Sequence, residues 1–150
     1  HTNDAPSSIT RLQNMGTPDY LISAAVSLIL AQRLARKTCP NCRVPDQDIT
    51  PKALADFGFT VEEASRAKVQ KGEGCGECKN SGYKGRMGIY EILSVSKPLK
   101  EAILRQATTP ELKEIATKEG FRTMQDMGRE LILTGDLNFR EYDRVLSTEG

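Results

Sequence analysis

Cys39-Pro40-Asn41-Cys42 and Cys75-Gly76-Glu77-Cys78 are the two stretches around which this sequence is organised. Each is a C-x2-C motif, and 32 residues separate them. Two thiolates at this spacing hold one edge of a tetrahedron and a second pair holds the opposite edge, so the pattern is typical of a tetrathiolate zinc site with a long insert. Since four protein ligands leave no position open for water, we expect structural zinc and no catalysis at the metal.

Two other interpretations exist for the four cysteines, which are Cys39, Cys42, Cys75 and Cys78. Two redox-active C-x-x-C motifs would each be expected beside a βαβ pattern, and such a pattern surrounds neither motif. Two disulfides would suit an oxidising compartment, but the sequence shows neither a signal peptide nor the cysteine density of small secreted proteins. Zinc binding is therefore our prediction, with these thiol chemistries as alternatives.

The composition excludes several classes of function. The 150 residues suffice for one domain or two small ones, and a net charge of +1 does not favour a polyanionic partner such as nucleic acid. Tryptophan is absent, which argues against surfaces that stack on bases. The longest mainly apolar run, residues 21–31, is too short to span a bilayer. We expect a soluble, cytosolic chain and, because it begins at His1 without an initiator methionine, a piece of a longer protein.

The part before the first motif is predicted to form two helices. Asp4 is a good N-cap for the first helix. The second is predicted from Pro18 or Asp19 to about Lys37 and is apolar almost all round, so it must be covered on most sides. Its basic end suits the negative end of the helix dipole, and both a solvated last turn and a phosphate-related role stay open for Arg33, Arg36 and Lys37.

Two short helices and one strand are predicted farther along the chain. Thr50 and Thr60 are N-caps within the insert, and Glu63 completes a capping box with Thr60. Met87 to Val95 then alternates well enough for a strand, although Glu91 interrupts its apolar face. A charge in such a position is usually at an edge or paired, and Arg86 is a candidate partner.

From Ser96 onward the pattern predicts four short amphipathic helices joined by tight loops, which is typical of a small bundle. Ser96 and Thr109 mark the starts of the first two helices, and Asn138 with Glu141 predicts a capping box for the fourth helix. The sequence given has no phosphate-binding loop and one histidine, His1. The residues by themselves thus indicate a zinc-stabilised, mainly helical module without a complete active site.

A series of short segments resembles the C-terminal part of the secretion ATPases that drive type II secretion and type IV pilus extension. The segments occur in the family's order, and the resemblance covers nearly the whole chain: His1-Thr2-Asn3-Asp4-Ala5, Thr10-Arg11-Leu12, Met15-Gly16, Gln32-Arg33-Leu34, the two C-x2-C motifs, and Gly82-Tyr83-Lys84-Gly85-Arg86-Met87-Gly88-Ile89-Tyr90-Glu91. Retraction motors of the same superfamily generally lack the cysteine motifs, so the resemblance favours the assembly or export branch.

The resemblance implies an α/β parent protein with a RecA-like core that acts as a homohexamer. His1 would face the γ-phosphate of ATP as a sensor, and Arg86 would approach the nucleotide. The alternatives are a solvated terminus or a tag remnant for His1, and an ion pair with Glu91 or a loop carbonyl contact for Arg86. The phosphate loop and the acidic residues that hold Mg²⁺ would lie upstream, so ATP and Mg²⁺ belong to the parent, and this chain alone should not hydrolyse ATP.

The resemblance also implies how the chain is divided and what it contacts. It predicts a mainly helical piece with a few short strands: residues 1–38 as the trailing part of the ATPase core, 39–84 as the zinc module, 85–95 as a returning strand, and 96–150 as a C-terminal helical subdomain. The zinc module would be a rigid arm that couples the core to a neighbouring subunit or to an inner-membrane platform protein. The parent would be cytoplasmic and peripheral at the inner membrane, and the isolated chain a monomer.

Two other classes of function stay open. A nucleic-acid-binding zinc ribbon would need a basic face, which the near-neutral charge does not favour. A structural zinc adaptor with no ATPase parent would be distinguished by the sequence upstream of His1. Pilus assembly and type II secretion are not separated by these residues.

Overall fold

The computed structural model describes residues 4–147, which form helices and strands in the following order. The helices are α1 (Ala5–Asn14), α2 (Asp19–Ala25), α3 (Pro51–Asp56), α4 (Val61–Arg66), α5 (Lys97–Leu104), α6 (Thr109–Lys118), α7 (Met124–Thr134) and α8 (Phe139–Leu146). The strands are β1 (Leu28–Thr38), β2 (Arg43–Pro45), β3 (Gln70–Gly72) and β4 (Tyr83–Ser94). The prediction of a mainly helical chain with a few strands is confirmed, although β1 and β4 are long. His1 lies outside the described residues.

The predicted second helix is wrong beyond Ala25, because the chain from Leu28 to Thr38 is the strand β1. From Leu28 to Ala35 every second side chain is exposed and those between are more buried, which is the period of a strand. A continuous apolar run fits helix and strand equally well, and here the pairing of β1 with β4 decides between them. Arg33 and Arg36 therefore lie on a strand and not on the last turn of a helix. No helix within residues 4–147 has the length and apolar character needed to cross a membrane.

The N-caps predicted from the sequence are confirmed. In each case the side chain accepts a hydrogen bond from the backbone N–H three residues later, and the capping residues are Asp4, Thr50, Thr60, Ser96 and Asn138. The capping box of Thr60 with Glu63 is also confirmed. The capping box predicted at Asn138 is wrong, because the Glu141 carboxylate accepts hydrogen bonds from Arg36 and Arg144 instead.

The chain folds as two compact units. Unit 1 consists of the N-terminal part up to Gln32 together with Tyr90–Met124. Within it α2 packs on α5, α1 packs on α6, and α5 packs on α6. These contacts bury a single apolar core, formed by Ala5, Ile9, Ile22, Leu93, Val95, Leu99, Ala102, Ile103, Ala107, Leu112 and Ala116.

Unit 2 consists of Arg33–Ile89 together with the chain from Gln125 onward. It contains the insert, in which β2 pairs with β3 in antiparallel register and α3 packs on α4. The rings of Phe57 and Phe139 meet edge to face with their centroids 4.2 Å apart, so the insert packs against α8. The four C-terminal helices, predicted as one bundle, are thus shared between the units. The four-part division predicted from the sequence stays a prediction for the parent protein.

Glu91 lies on the buried face of β4 in unit 1. Side chains on this face alternate with the exposed Tyr90 and Ile92, and Glu91 is only 2% exposed. Its carboxylate accepts one hydrogen bond from the backbone N–H of Ala5, at the start of α1, and another of 2.9 Å from the backbone N–H of Met124. The suggested pairing of Glu91 with Arg86 is wrong, since two backbone amides satisfy the buried carboxylate instead.

We predict that Glu91→Gln lowers the free energy of unfolding by about 2–4 kcal/mol, because an amide has one oxygen to accept two buried N–H donors and brings a competing NH2 group. Urea unfolding followed by circular dichroism measures this loss. The matched control is Glu119→Gln, an exposed residue of the same unit that accepts a hydrogen bond from Ser96. A loss no larger than that of the control would contradict the bridging role of Glu91.

Candidate metal centre

The four predicted zinc ligands lie together in unit 2. One ligand atom of each cysteine lies within 4.8 Å of the others. The separations of three sulfur pairs are 3.9 Å for Cys39 and Cys75, 3.8 Å for Cys42 and Cys78, and 3.7 Å for Cys75 and Cys78. A disulfide has sulfur atoms about 2.05 Å apart, so the four cysteines are unbridged thiols.

These distances fit one tetrahedral ion. An ion with zinc–sulfur bonds of about 2.3 Å needs sulfur atoms about 3.8 Å apart, which is the spacing of the three pairs. A set of four sulfur ligands favours zinc among the common biological metals. Because all four corners are taken by protein, the site is suited to hold structure and not to activate water.

Backbone and side-chain N–H groups surround the sulfur atoms. The backbone N–H of Gly82 and that of Cys75 donate to the sulfur of Cys78, at 3.3 and 3.2 Å. The N–H of Gly74 donates to Cys42 and the Asn41 side chain donates to Cys75, each at 3.3 Å. These donors stabilise negative charge on sulfur, as expected around a metal-bound thiolate.

The thiols do not ionise equally by themselves. Burial raises the pKa of Cys78, but the N–H groups of Cys75 and Gly82 outweigh it and lower that pKa to about 6. Burial raises the pKa of Cys42 to about 12, although the hydrogen bond from the N–H of Gly74 acts to lower it. Four thiolates so close together repel one another, so a divalent cation is what allows all four to lose their protons.

A close approach of two glycines holds the motifs at this spacing. A Cβ added to Gly72 would lie 2.1 Å from the carbonyl oxygen of Gly82, and one added to Gly82 would lie 2.6 Å from that of Gly72. That same Gly82 carbonyl accepts a hydrogen bond of 2.9 Å from the backbone N–H of Cys39. Gly82 therefore contacts both motifs, and the absence of a side chain at these two positions is required for the approach.

Arg86, predicted on the nucleotide side, lies exposed on β4. It lines an open depression of about 440 Å³ together with Leu34, Ala35, Arg36 and Arg144. Its side chain makes no hydrogen bond or ion pair within residues 4–147. Its nucleotide role stays a prediction, and so does the sensor role of His1.

Sequence reasoning missed the buried carboxylate of Glu141. Its side chain is fully buried, and it binds Arg36, 105 residues away in the chain, as well as Arg144 on its own helix. The pKa of Glu141 is raised by burial, but hydrogen bonds from Arg144 and Arg36 outweigh this and lower it to about 2. Local sequence signals pointed to a capping box, and the long-range partner could not be found without the fold.

Comparisons with known proteins give a consistent result. The family described as Type II/IV secretion system protein matches residues 1–144. The type IV pilus assembly ATPase PilB of Myxococcus xanthus is 37% identical over 141 residues, which are 94% of this chain and 25% of that protein. The PilB protein of Thermus thermophilus is 40% identical over 144 residues, 94% of this chain and 16% of that protein. The type II secretion system protein E of Klebsiella pneumoniae is 36% identical over 146 residues, 97% of this chain and 28% of that protein.

The chain spans only 16% to 28% of the length of these three relatives. The predicted resemblance to the secretion ATPases is confirmed.

We predict that Gly72→Ala weakens zinc binding by about 10–100-fold, because the new Cβ forces Gly82 away from both motifs. Gly76→Ala is the matched control: it lies inside the second motif, and a Cβ there meets nothing within 4 Å. Competition with a colorimetric chelator measures both affinities. Equal zinc affinity in the two variants would show that the close approach of the glycines does not hold the site.

We predict that Glu141→Gln destabilises the chain at pH 7 by about 2 kcal/mol, after discounting for the solvent exposure of its arginine partners. The folded pKa of about 2 lies below the ordinary value of 4.5, so this stability is present above pH 4.5 and is lost as the pH falls toward 2. The measurement is the difference in urea stability between wild type and variant at pH 7, 4.5 and 3. A difference that does not shrink with acid would contradict the charged pairing.

Proposed function

Because this chain belongs to the family of type II/IV secretion system proteins, we propose that it is the trailing part of a hexameric ATPase that powers type IV pilus assembly or type II secretion. The names of the relatives support both branches, since they include pilus assembly ATPases and type II secretion E proteins. The parent would have a RecA-like core, and its phosphate loop and Mg²⁺-binding residues would precede this chain.

The observation that carries the proposal for this chain is the tetrahedral spacing of its four sulfur atoms. Cys39, Cys42, Cys75 and Cys78 would hold zinc, which when bound supplies a rigid cross-link and the charge that the four thiolates need. The insert between the motifs has short helices and three-residue strands, so it buries little apolar surface of its own. A metal cross-link offsets that small core and makes the insert a stiff arm.

A stiff arm can transmit movement of the ATPase core. In the parent, the arm would contact a neighbouring subunit or an inner-membrane platform protein, and the motor would act at the cytoplasmic face of that membrane. If the arm lost its zinc, the core could still turn over ATP while the movement failed to reach the partner. Coupling and hydrolysis are therefore separable in this proposal.

Two residues of the chain would serve the nucleotide in the parent. His1 would donate a hydrogen bond to the γ-phosphate and signal its presence to α1, whose N-cap is Asp4. The Glu91 carboxylate accepts a hydrogen bond from the N–H of Ala5, so it would tie the first turn of that helix to β4. Arg86, with its exposed guanidinium, would approach the nucleotide from β4.

We predict that Cys75→Ser in the complete protein releases zinc and abolishes pilus or pseudopilus assembly, because the arm loses its cross-link. ATP hydrolysis by the purified protein should persist at about the wild-type level. The measurements are zinc content, ATPase rate and assembly in cells, with Gly76→Ala as the control that keeps zinc. Normal assembly by a zinc-free variant would overturn the coupling role. If ATP hydrolysis were lost together with assembly, zinc would be needed for the stability of the motor and not for coupling.

A further inference from the structure

We propose that Arg36, Arg86 and Arg144 form a binding site for a small molecule that bears phosphate groups. The three arginines line the same open depression in unit 2, with Leu34 and Ala35 as its apolar part. The depression is open to solvent and has a volume of about 440 Å³.

Glu141 fixes two of these arginines in place. Nε and Nη2 of Arg36 donate to one carboxylate oxygen at 3.1 and 2.8 Å, and the Arg36 guanidinium lies 4.0 Å from the centre of the Tyr83 ring. Arg144 donates from Nε and Nη2 to the two oxygens of the same carboxylate. Both guanidiniums are thus held by their Nε edges, which leaves their Nη1 groups without a role in the pairing.

The local charge favours an anion. Three arginines line the depression, and the carboxylate of Glu141 pairs with two of them, so it balances one of the three positive charges. Glu141 is fully buried and its low pKa keeps it ionised, so it acts as a fixed anchor and is out of reach of solvent. Pre-positioned arginines bind an anion at a lower entropic cost than flexible ones.

Arg86 is the member that lacks a partner. Its side chain is exposed and makes no hydrogen bond or ion pair within residues 4–147. Its guanidinium is therefore available to a ligand that also contacts Arg36 or Arg144. The arrangement therefore suits a ligand that accepts from several guanidiniums at once.

Phosphate chemistry fits this arrangement better than a single carboxylate. A phosphate or pyrophosphate group presents several oxygens in different directions and carries about two or more negative charges near neutral pH, and the arginine fork matches it bidentately. A carboxylate has two oxygens in one plane and one charge. Inorganic pyrophosphate and the diphosphate of ADP share the required chemistry and represent two sources of it.

The test is a calorimetric titration of inorganic pyrophosphate into the zinc-loaded chain of residues 1–150 at low salt. We expect saturable binding that weakens at least about tenfold in Arg86→Gln, because one charge-assisted contact is lost. Arg66→Gln is the matched control, since it removes the same charge from the same unit at the exposed Arg66–Glu62 pair. Any extraction of zinc by pyrophosphate would affect both variants equally.

The titrations distinguish a phosphate site from a general anion site and from the absence of a site. Absence of saturable binding in the wild type, or equal affinity of the two variants, would overturn the site. Equal competition by tricarballylate, which carries three carboxylates, would overturn its assignment to phosphate. Competition by ADP that is lost in Arg86→Gln would support a nucleotide-type diphosphate, whereas binding of pyrophosphate without ADP would support a free polyphosphate. Because this experiment measures binding to the chain alone, its result does not depend on the result of the assembly test of the motor.

Discussion

The constraint on which the rest of unit 2 depends is the requirement that four sulfur atoms share one tetrahedron. Two of them come from a loop after β1 and two from a turn before β4, so both long strands are tied to the cluster at one end. The insert between the motifs consists of short elements that could not bury much surface alone. A metal cross-link would therefore carry a larger share of the local stability here than in a domain with a full apolar core.

In each unit, a buried carboxylate joins segments that are far apart in the chain. Glu91 in unit 1 joins backbone amides that are far apart in the chain, and Glu141 in unit 2 joins two arginines and a backbone amide of β1. Each carboxylate is satisfied by several donors, which offsets the cost of removing it from water. These contacts specify which segments meet, because no apolar residue could replace that pattern of hydrogen bonds.

The organisation also bears on how a motor could use the chain. The cysteine cluster, the pairing of β2 with β3 and the arginines anchored by Glu141 lie in unit 2, whereas α1, the helix that follows the predicted histidine sensor, lies in unit 1. The chain passes between the units three times, within β1, within β4 and at the start of α7. In the proposed coupling role, unit 2 would supply the stiff arm and unit 1 the part that responds to nucleotide.

The sequence by itself determined the features that depend on neighbours in the chain. The cysteine spacing, the N-caps such as Asp4 and Thr60, and the strand near Ile89 all follow from local geometry and were predicted correctly. The tertiary structure decided the features that need a partner from far away. The apolar run after Ala25 forms a strand because β4 pairs with it. Glu141, which was predicted to complete a capping box, instead pairs with Arg36, 105 residues away in the chain, because a buried carboxylate requires a charged partner.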